Sequence, residues 1–374
     1  MKLDESFVEG VEGMQIDGSS AHENEDMESE DEEDANEDAI LPASLCPPAH
    51  GQDGDSCGSF VLLEYTAYFA DRSNATTASC KMRDGKGFIH VTFCIVVPPL
   101  VSYFCIHFTG GLKLSHFASE PEIVASKGGI VLLRTPLGDE YHSLDPHISE
   151  YFIYHAVAME EDPCLTQLRT LDPMNSSTIT PPSSATAAFA TVTVAARWTI
   201  LLDIKIARPH ASTSITITIG GKRGTVGWVD LWRGILFCDV LTADGQNTLH
   251  FVPLPPPHVE GRVFDRGSPR ISRDIAVVNG VIKYIELQAD TLMLKVDAST
   301  GQPTLKTLHI GQPTLSLQDD DIVYLLAKVD HRDKDRNGWV LAVDPKSKTI
   351  RGVSEFGVQR TLGFITCLHR KSDL

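Results

Sequence analysis

Basic residues are almost missing from the start of this chain: between Met1 and Asp38 there are 16 Asp and Glu and a single Lys. Of the formal charge of −18, −15 therefore belongs to that stretch. The remainder is close to neutral, so net charge points to no nucleic-acid or other strongly charged partner. Large apolar residues are equally scarce in "AHENEDMESEDEEDANEDAI", residues 21–40. Such a segment cannot bury enough surface to offset the entropy lost on ordering. Residues 1–55 are read as a disordered acidic tail and residues 56–374 as the folded body.

Paired cysteines are also missing. The eight cysteines stand at 46, 57, 80, 94, 105, 164, 238 and 367, with no CxxC and no short disulfide-like spacing. They read as reduced thiols. An apolar leader is lacking at the N-terminus, which points to the cytoplasm or nucleus rather than secretion. The acceptor patterns at Asn74-Ala75-Thr76 and Asn175-Ser176-Ser177 are then chance matches. Residues 88–108 contain no Asp, Glu, Lys or Arg and are long enough to cross a membrane. Pro98-Pro99 at the centre and the Val, Ile and Thr bias favour two strands around a corner, with no membrane association.

Sustained helical periodicity is the last absence. From Phe60 onward the chain shows short β-like runs divided by turn residues. The candidate strands are 60–69, 87–96, 101–108, 123–125, 129–134, 150–158, 188–194, 199–206, 214–219, 226–230, 234–241, 250–253, 275–278, 281–287, 291–296, 304–310, 322–329, 339–344 and 352–356. Asn279-Gly280, between two apolar runs, is a strong hairpin signal. The Ser, Thr, Pro and Ala stretch at 172–188 reads as an exposed loop. The fold class is all-β: an antiparallel, hairpin-rich, β-propeller-like body, with a large β-sandwich as the alternative.

The most distinctive stretch is "VGWVDLWRGILFCDVL", residues 226–241. It predicts a hairpin with "GWVDL" as one arm, "WRG" as the turn and "ILFCDVL" as the other. Trp228 and Trp232 share a face only if the strand continues unbroken. Asp230 and Arg233, three apart, are placed to hold the turn by a charge-assisted hydrogen bond. One face carries Ile235 and Phe237, the other Leu236 and Cys238, and either set can supply a core.

Six blocks in order, "LLEYTAYFADRSNATTA", "HVTFCIVVPPLVSYFCIHF", "GTVGWVDLWRGILFCDVL", "FVPLPPP", "SRDIAVVNGVIKYIEL" and "PTLSLQDDDIVYLLAKVD" with its following "WVLAVD", resemble the plant family called domain of unknown function 1618. The family-type domain is placed at about 224–344. The resemblance implies no established enzyme activity, and a β-rich layout similar to the propeller-like domains associated with F-box proteins. Two departures, a Glu286–Gln312 segment without a further tryptophan and a short 186–223 region, imply an incomplete blade and leave closure of the chain open.

Catalytic signatures are absent. No GxSxG is present, and "GGKRGTVG", 220–227, has neither Walker nor Rossmann spacing, so it reads as a glycine-rich hairpin. Lys222 and Arg223 within it are too few for a nucleic-acid footprint. In "DKDRNG", Asp333, Asp335 and Asn337 take positions 1, 3 and 5 of a calcium loop, with Gly338 at 6 and Asp344 at 12. The flanks read as strands rather than the helices of an EF-hand, so these four are the calcium candidates and a polar hairpin tip explains the same letters. A zinc cluster from Cys105, His107, His90 and Cys94 lacks close paired spacing. Asp319-Asp320-Asp321 reads as a solvated turn. The chain is expected to be a non-enzymatic interaction scaffold that binds protein partners and carries no cofactor. The alternatives are a hydrolase or carbohydrate-acting propeller with convergent carboxylates, and a ubiquitin-ligase adaptor-like module without a recognisable F-box.

Overall fold

The computed structural model describes residues 42–51, 60–82, 85, 87–127, 129–138, 149–156, 162–168, 215–220, 224–239, 249–255, 268–287, 309–319, 321–329, 338–357 and 365–369. Their regular structure is strand, with three short 3-10 turns and no α-helix among the described residues. Strands β1 (Phe60–Glu64), β2 (Tyr68–Phe69), β3 (Ala78–Lys81), β4 (Gly87–Cys94) and β5 (Val101–Gly110) form one mixed sheet with β20 (Ile365–His369). Three further sheets are four-stranded antiparallel meanders. They are β6 (Glu122–Lys127) to β9 (Cys164–Gln167) through β7 (Ile130–Thr135) and β8 (Glu150–His155); β10 (Ile215–Gly220) to β13 (Leu249–Pro253) through β11 (Thr225–Asp230) and β12 (Gly234–Asp239); and β16 (His309–Leu315) to β19 (Thr349–Phe356) through β17 (Val323–Lys328) and β18 (Gly338–Asp344). Between the last two lies the hairpin β14 (Arg273–Val278) and β15 (Val281–Glu286).

The first strands of the four antiparallel sheets touch in succession, β6 to β10, β10 to β14 and β14 to β16. Strand β20 then touches β16 on one side and β6 on the other, which completes the ring. The body is thus all-β and propeller-like, with four antiparallel sheets standing as blades. The mixed sheet joins the first and last described strands: β20 runs antiparallel to β1, from Phe60 opposite His369 to Glu64 opposite Ile365. Closure, left open by the sequence, is therefore made by backbone hydrogen bonds between the first and last strands.

Alternation along β1 shows how the blades share a core. Val61 and Leu63 face one way, onto Phe93, Phe104, Ile123, Leu133 and Tyr154. Leu62 faces the other way, onto Tyr324, Leu326 and Val340. Both faces are buried, so the run reads as continuously apolar rather than alternating. Phe93 and Phe104 stack at 4.5 Å, and Tyr154 meets Phe104 edge-on at 5.2 Å while its hydroxyl donates to the Thr76 carbonyl at 2.7 Å. Each such fully buried aromatic contributes about 1.5–3 kcal/mol.

Local turn chemistry holds where the sequence placed it. Asn279 and Gly280, with φ of 51° and 75°, make the left-handed pair that joins β14 to β15. The apolar run at 88–108 is β4 and β5, joined through Pro98-Pro99, whose peptide is cis. Among the described residues no helix is long and apolar enough to cross a membrane.

The tail boundary needs correcting. Residues 1–41 and 52–59 lie outside the described residues, but residues 42–51 pack onto the body. A 3-10 turn spans Pro42–Leu45, and Ser44 donates to Glu120 at 2.6 Å. The Pro47 and Pro48 carbonyls accept hydrogen bonds from Arg72, and His50 lies 3.1 Å from the Val101 carbonyl. Two consecutive prolines restrict the unfolded chain, so ordering this segment costs less conformational entropy. The candidate strands 188–194, 199–206 and 291–296, and the loop at 172–188, lie outside the described residues.

Candidate functional site

The hairpin predicted around the tryptophans is β11 and β12, paired from Thr225 opposite Asp239 to Asp230 opposite Gly234. The strand stops at Asp230, so Trp232 belongs to the turn and the two tryptophans part company. Trp228 is 4% exposed and packs with Val226, Leu236 and Cys238. The opposite face, with Val229, Leu231 and Ile235, packs against Ile275 of β14. Both candidate faces are therefore used. Gly227 makes this possible, because a Cβ there would stand 2.8 Å from the Phe237 ring and 2.9 Å from Ile217.

The turn is held differently from the expectation. Arg233 lies 3.7 Å from the Asp230 carboxylate, too long for a hydrogen bond. The Arg233 amide instead donates to the Asp230 carbonyl at 3.0 Å, and the Trp232 amide to the Asp230 carboxylate at 2.9 Å. The important cation is one the sequence reading passed over. Arg273, 1% exposed, donates to the Leu231 carbonyl at 2.8 Å and to Glu286 at 3.2 Å. Its guanidinium lies over the Trp232 ring at 4.9 Å, so it latches one blade to the next. Tyr284 donates to Glu286 at 3.0 Å, and burial pushes its hydroxyl up to about 12.

Of the four metal candidates, Asp344 alone is among the described residues; Asp333, Asp335 and Asn337 lie outside them. Gly338 and Asp344 are the two ends of strand β18, about 20 Å apart at the usual rise per residue. Positions 6 and 12 of the spacing are therefore held apart by an extended strand. The Asp344 carboxylate serves the following turn, accepting from the Lys346 and Ser347 amides at 3.0 Å each and from Arg351 at 2.8 Å. These hydrogen bonds hold it well below the usual carboxylate range.

His90 does stand opposite His107, with Cys94 and Cys105 farther along the same face. The two thiols are buried beside Tyr68 and Tyr103, whereas His90 contacts Ser79 at 2.7 Å. No group of three or more metal-ligating side chains occurs among the described residues. Gly220 opposite Thr225 confirms the glycine-rich hairpin, while Lys222 and Arg223 lie outside the described residues. In the acidic turn, the Ser316 hydroxyl accepts from the Asp319 amide at 3.0 Å, and Asp320 is outside the described residues.

The surface that stands out is β13, the outer strand of its sheet. All five of its residues are exposed, including Leu249, Phe251 at 59% and Val252. Among the described residues β13 pairs with β12 alone, so its other backbone edge meets no described strand. Phe251 is nevertheless fixed in place. A Cβ at Gly234 would stand 2.5 Å from the Phe251 ring and 2.4 Å from the Val252 carbonyl, so the missing side chain is the seat of the ring. The sequence marks 250–253 as a strand, but the letters carry no sign that it is an outer one.

No curated protein matches the chain. Residues 228–307 match the family model described as Protein of unknown function (DUF1618), a span that begins at Trp228 and takes in β12, β13, β14 and β15. The family recognised in the sequence blocks is thus the one whose model matches, and the tryptophan turn, the Arg273 latch and the outer strand lie within the matched span.

Proposed function

We propose that the protein is a non-enzymatic protein-interaction scaffold of the DUF1618 family, and that its contact surface is β13. The observation that carries this reading is the seated but exposed Phe251 on an outer strand. A fixed aromatic with little rotamer freedom left to lose is the kind of anchor on which binding energy concentrates. An open edge offers main-chain hydrogen bonds to an incoming strand. The partner is an extended segment of another protein with apolar residues at alternate positions, to cover Leu249 and Phe251 on one face. The reading takes the scaffold as cytoplasmic or nuclear, with neither nucleic acid nor a membrane as its partner.

The test places a photo-crosslinking residue at Phe251 or, as a control, at the exposed Val281 of β15, and compares both with Phe251→Asp. Crosslinks from position 251 alone, to proteins that Phe251→Asp no longer retains, support the reading. Equal capture by the wild type and Phe251→Asp, with unchanged thermal melts, overturns it.

A further inference from the structure

His90 of β4 and His107 of β5 stand directly opposite each other in an antiparallel ladder. Side chains paired in this way have Cβ atoms about 4.5–5.5 Å apart, and the two imidazole rings lie 6.0 Å centre to centre. Ser79 of β3 is opposite His90 in turn, so the three residues make one row across three strands. Both rings are half-buried and within reach of water, while Ser79 and Thr109 beside them are exposed.

The His90 ring is oriented from both sides. Its Nδ1 lies 2.7 Å from the Ser79 hydroxyl on β3, and its Nε2 faces β5, 3.5 Å from the Thr109 hydroxyl. When Nδ1–H donates to Ser79, Nε2 keeps its lone pair and aims it at the strand that carries His107. An outer hydrogen bond that sets the tautomer in this way is the usual companion of a metal-ligating histidine. The His107 ring makes no hydrogen bond among the described residues, so its nitrogens are available to an ion.

We propose that His90 and His107 form a two-imidazole site for a divalent late transition-metal ion, with Ser79 positioning His90 and water completing the coordination. Imidazole nitrogen suits Zn²⁺, Ni²⁺ and Cu²⁺, whereas Ca²⁺ and Mg²⁺ take oxygen ligands. With a metal–nitrogen distance of about 2.0–2.1 Å, two rings on one ion have centres about 5 Å apart at the tetrahedral angle and at most about 6.4 Å apart. The observed 6.0 Å lies within that reach. Turning either ring about its broad χ2 closes the rest, and no strand has to move. Two protein ligands make a weaker site than the three or four of a structural or catalytic zinc centre. The bound ion ties β4 to β5 and leaves its water positions facing solvent.

The experiment titrates Zn²⁺ into the full-length chain by calorimetry, after alkylation of Cys46 and Cys164, the exposed thiols that would compete for the ion. His90→Asn and His107→Asn should each abolish the tightest binding phase, and Ser79→Ala should weaken it about tenfold, as expected for loss of an outer partner. A second measurement needs no variant and decides the matter should one fail to fold. Diethyl pyrocarbonate modifies free imidazole nitrogens, and peptide mapping reads each histidine separately. Zn²⁺ should protect His90 and His107 together, while the exposed His250 of β13 reacts at its former rate. An isotherm that His107→Asn leaves unchanged overturns the proposal. So does a Zn²⁺-loaded chain in which His90 and His107 are modified as fast as without the ion.

Discussion

The guanidinium of Arg273 stands 4.9 Å from the centre of the Trp232 ring, and its fork reaches the carbonyl of Leu231, the residue before that tryptophan. A turn of one blade is thereby held by the first residue of the strand that starts the next. Arg273→Met should cost about 3 kcal/mol or more, because it breaks a buried pair and removes the donor facing a buried carbonyl. Arg273→Lys should recover only part of this, since an ammonium cannot reach Leu231 and Glu286 as a fork. Chemical denaturation measures both, and equal midpoints for Arg273→Met and the wild type would refute the latch.

Trp228→Ala should cost about 3–5 kcal/mol, the range for a large buried aromatic. Trp228→Phe should cost clearly less. The indole nitrogen is buried and has no hydrogen-bond partner among the described residues, so removing it relieves an unpaid desolvation. Thermal melts of the two variants check the ordering, and a Phe variant as unstable as the Ala variant would show that the nitrogen is satisfied.

Truncation separates the two parts of the predicted tail. A chain starting at residue 42 keeps the carbonyls of Pro47, Pro48 and His50, whereas one starting at residue 52 takes them from Arg72 and Tyr103. The shorter chain should be less stable by about 2–3 kcal/mol, as expected for losing a hydrogen bond to a charged group and its neighbours. Differential scanning calorimetry of the pair measures it.

Burial pushes the Asp274 carboxyl up to about 6, against the opposing pulls of the Leu315 amide at 2.9 Å and Arg270. A carboxyl whose folded value lies above its unfolded value, about 3.9, binds its proton more tightly in the folded chain. Its contribution to stability therefore falls as pH rises from about 4 to about 6 and is level above that. Asp274→Asn lacks this loss. Its stability relative to the wild type should climb between pH 4 and pH 6 and then stay constant, and a flat difference across that range would show that the Asp274 carboxyl is not raised.

What the sequence made legible follows from how local each signal is. The Asn279-Gly280 hairpin, the corner at Pro98-Pro99 and the β11–β12 turn are written in adjacent residues, and each stands where the letters put it. Strands β3, "ASCK", and β9, "CLTQ", were missed because each is four residues long and buries a single apolar side chain, Ala78 or Leu165, too little for an alternation to be legible. Of candidate strand 304–310, residues 309 and 310 are described and belong to β16, which continues through Pro313 to Leu315. A register shift between Gly311 and Thr314, with Gln312 at φ 51°, absorbs the proline that sequence rules would treat as a strand end. Counting residues in the calcium spacing likewise ignores that the chain from Gly338 to Asp344 is extended. Arg273 and β20 were illegible because their partners lie far away in the chain, Arg273 on Leu231 and β20 on Phe60–Glu64.

The pairing of β20 with β1 also sets a clock during synthesis. Strand β1 ends at Glu64, and the strand that covers its edge begins at Ile365. At a translation rate of about 5–20 residues per second, β1 waits on the order of 15–60 s for its neighbour to be made. Through that interval the run Val61-Leu62-Leu63 has an uncovered edge in the cell, where such edges recruit other chains. A ribosome stalled or terminated anywhere before residue 365 releases a product whose first sheet can never be finished, so chaperone demand should track the last few residues translated rather than the length already folded.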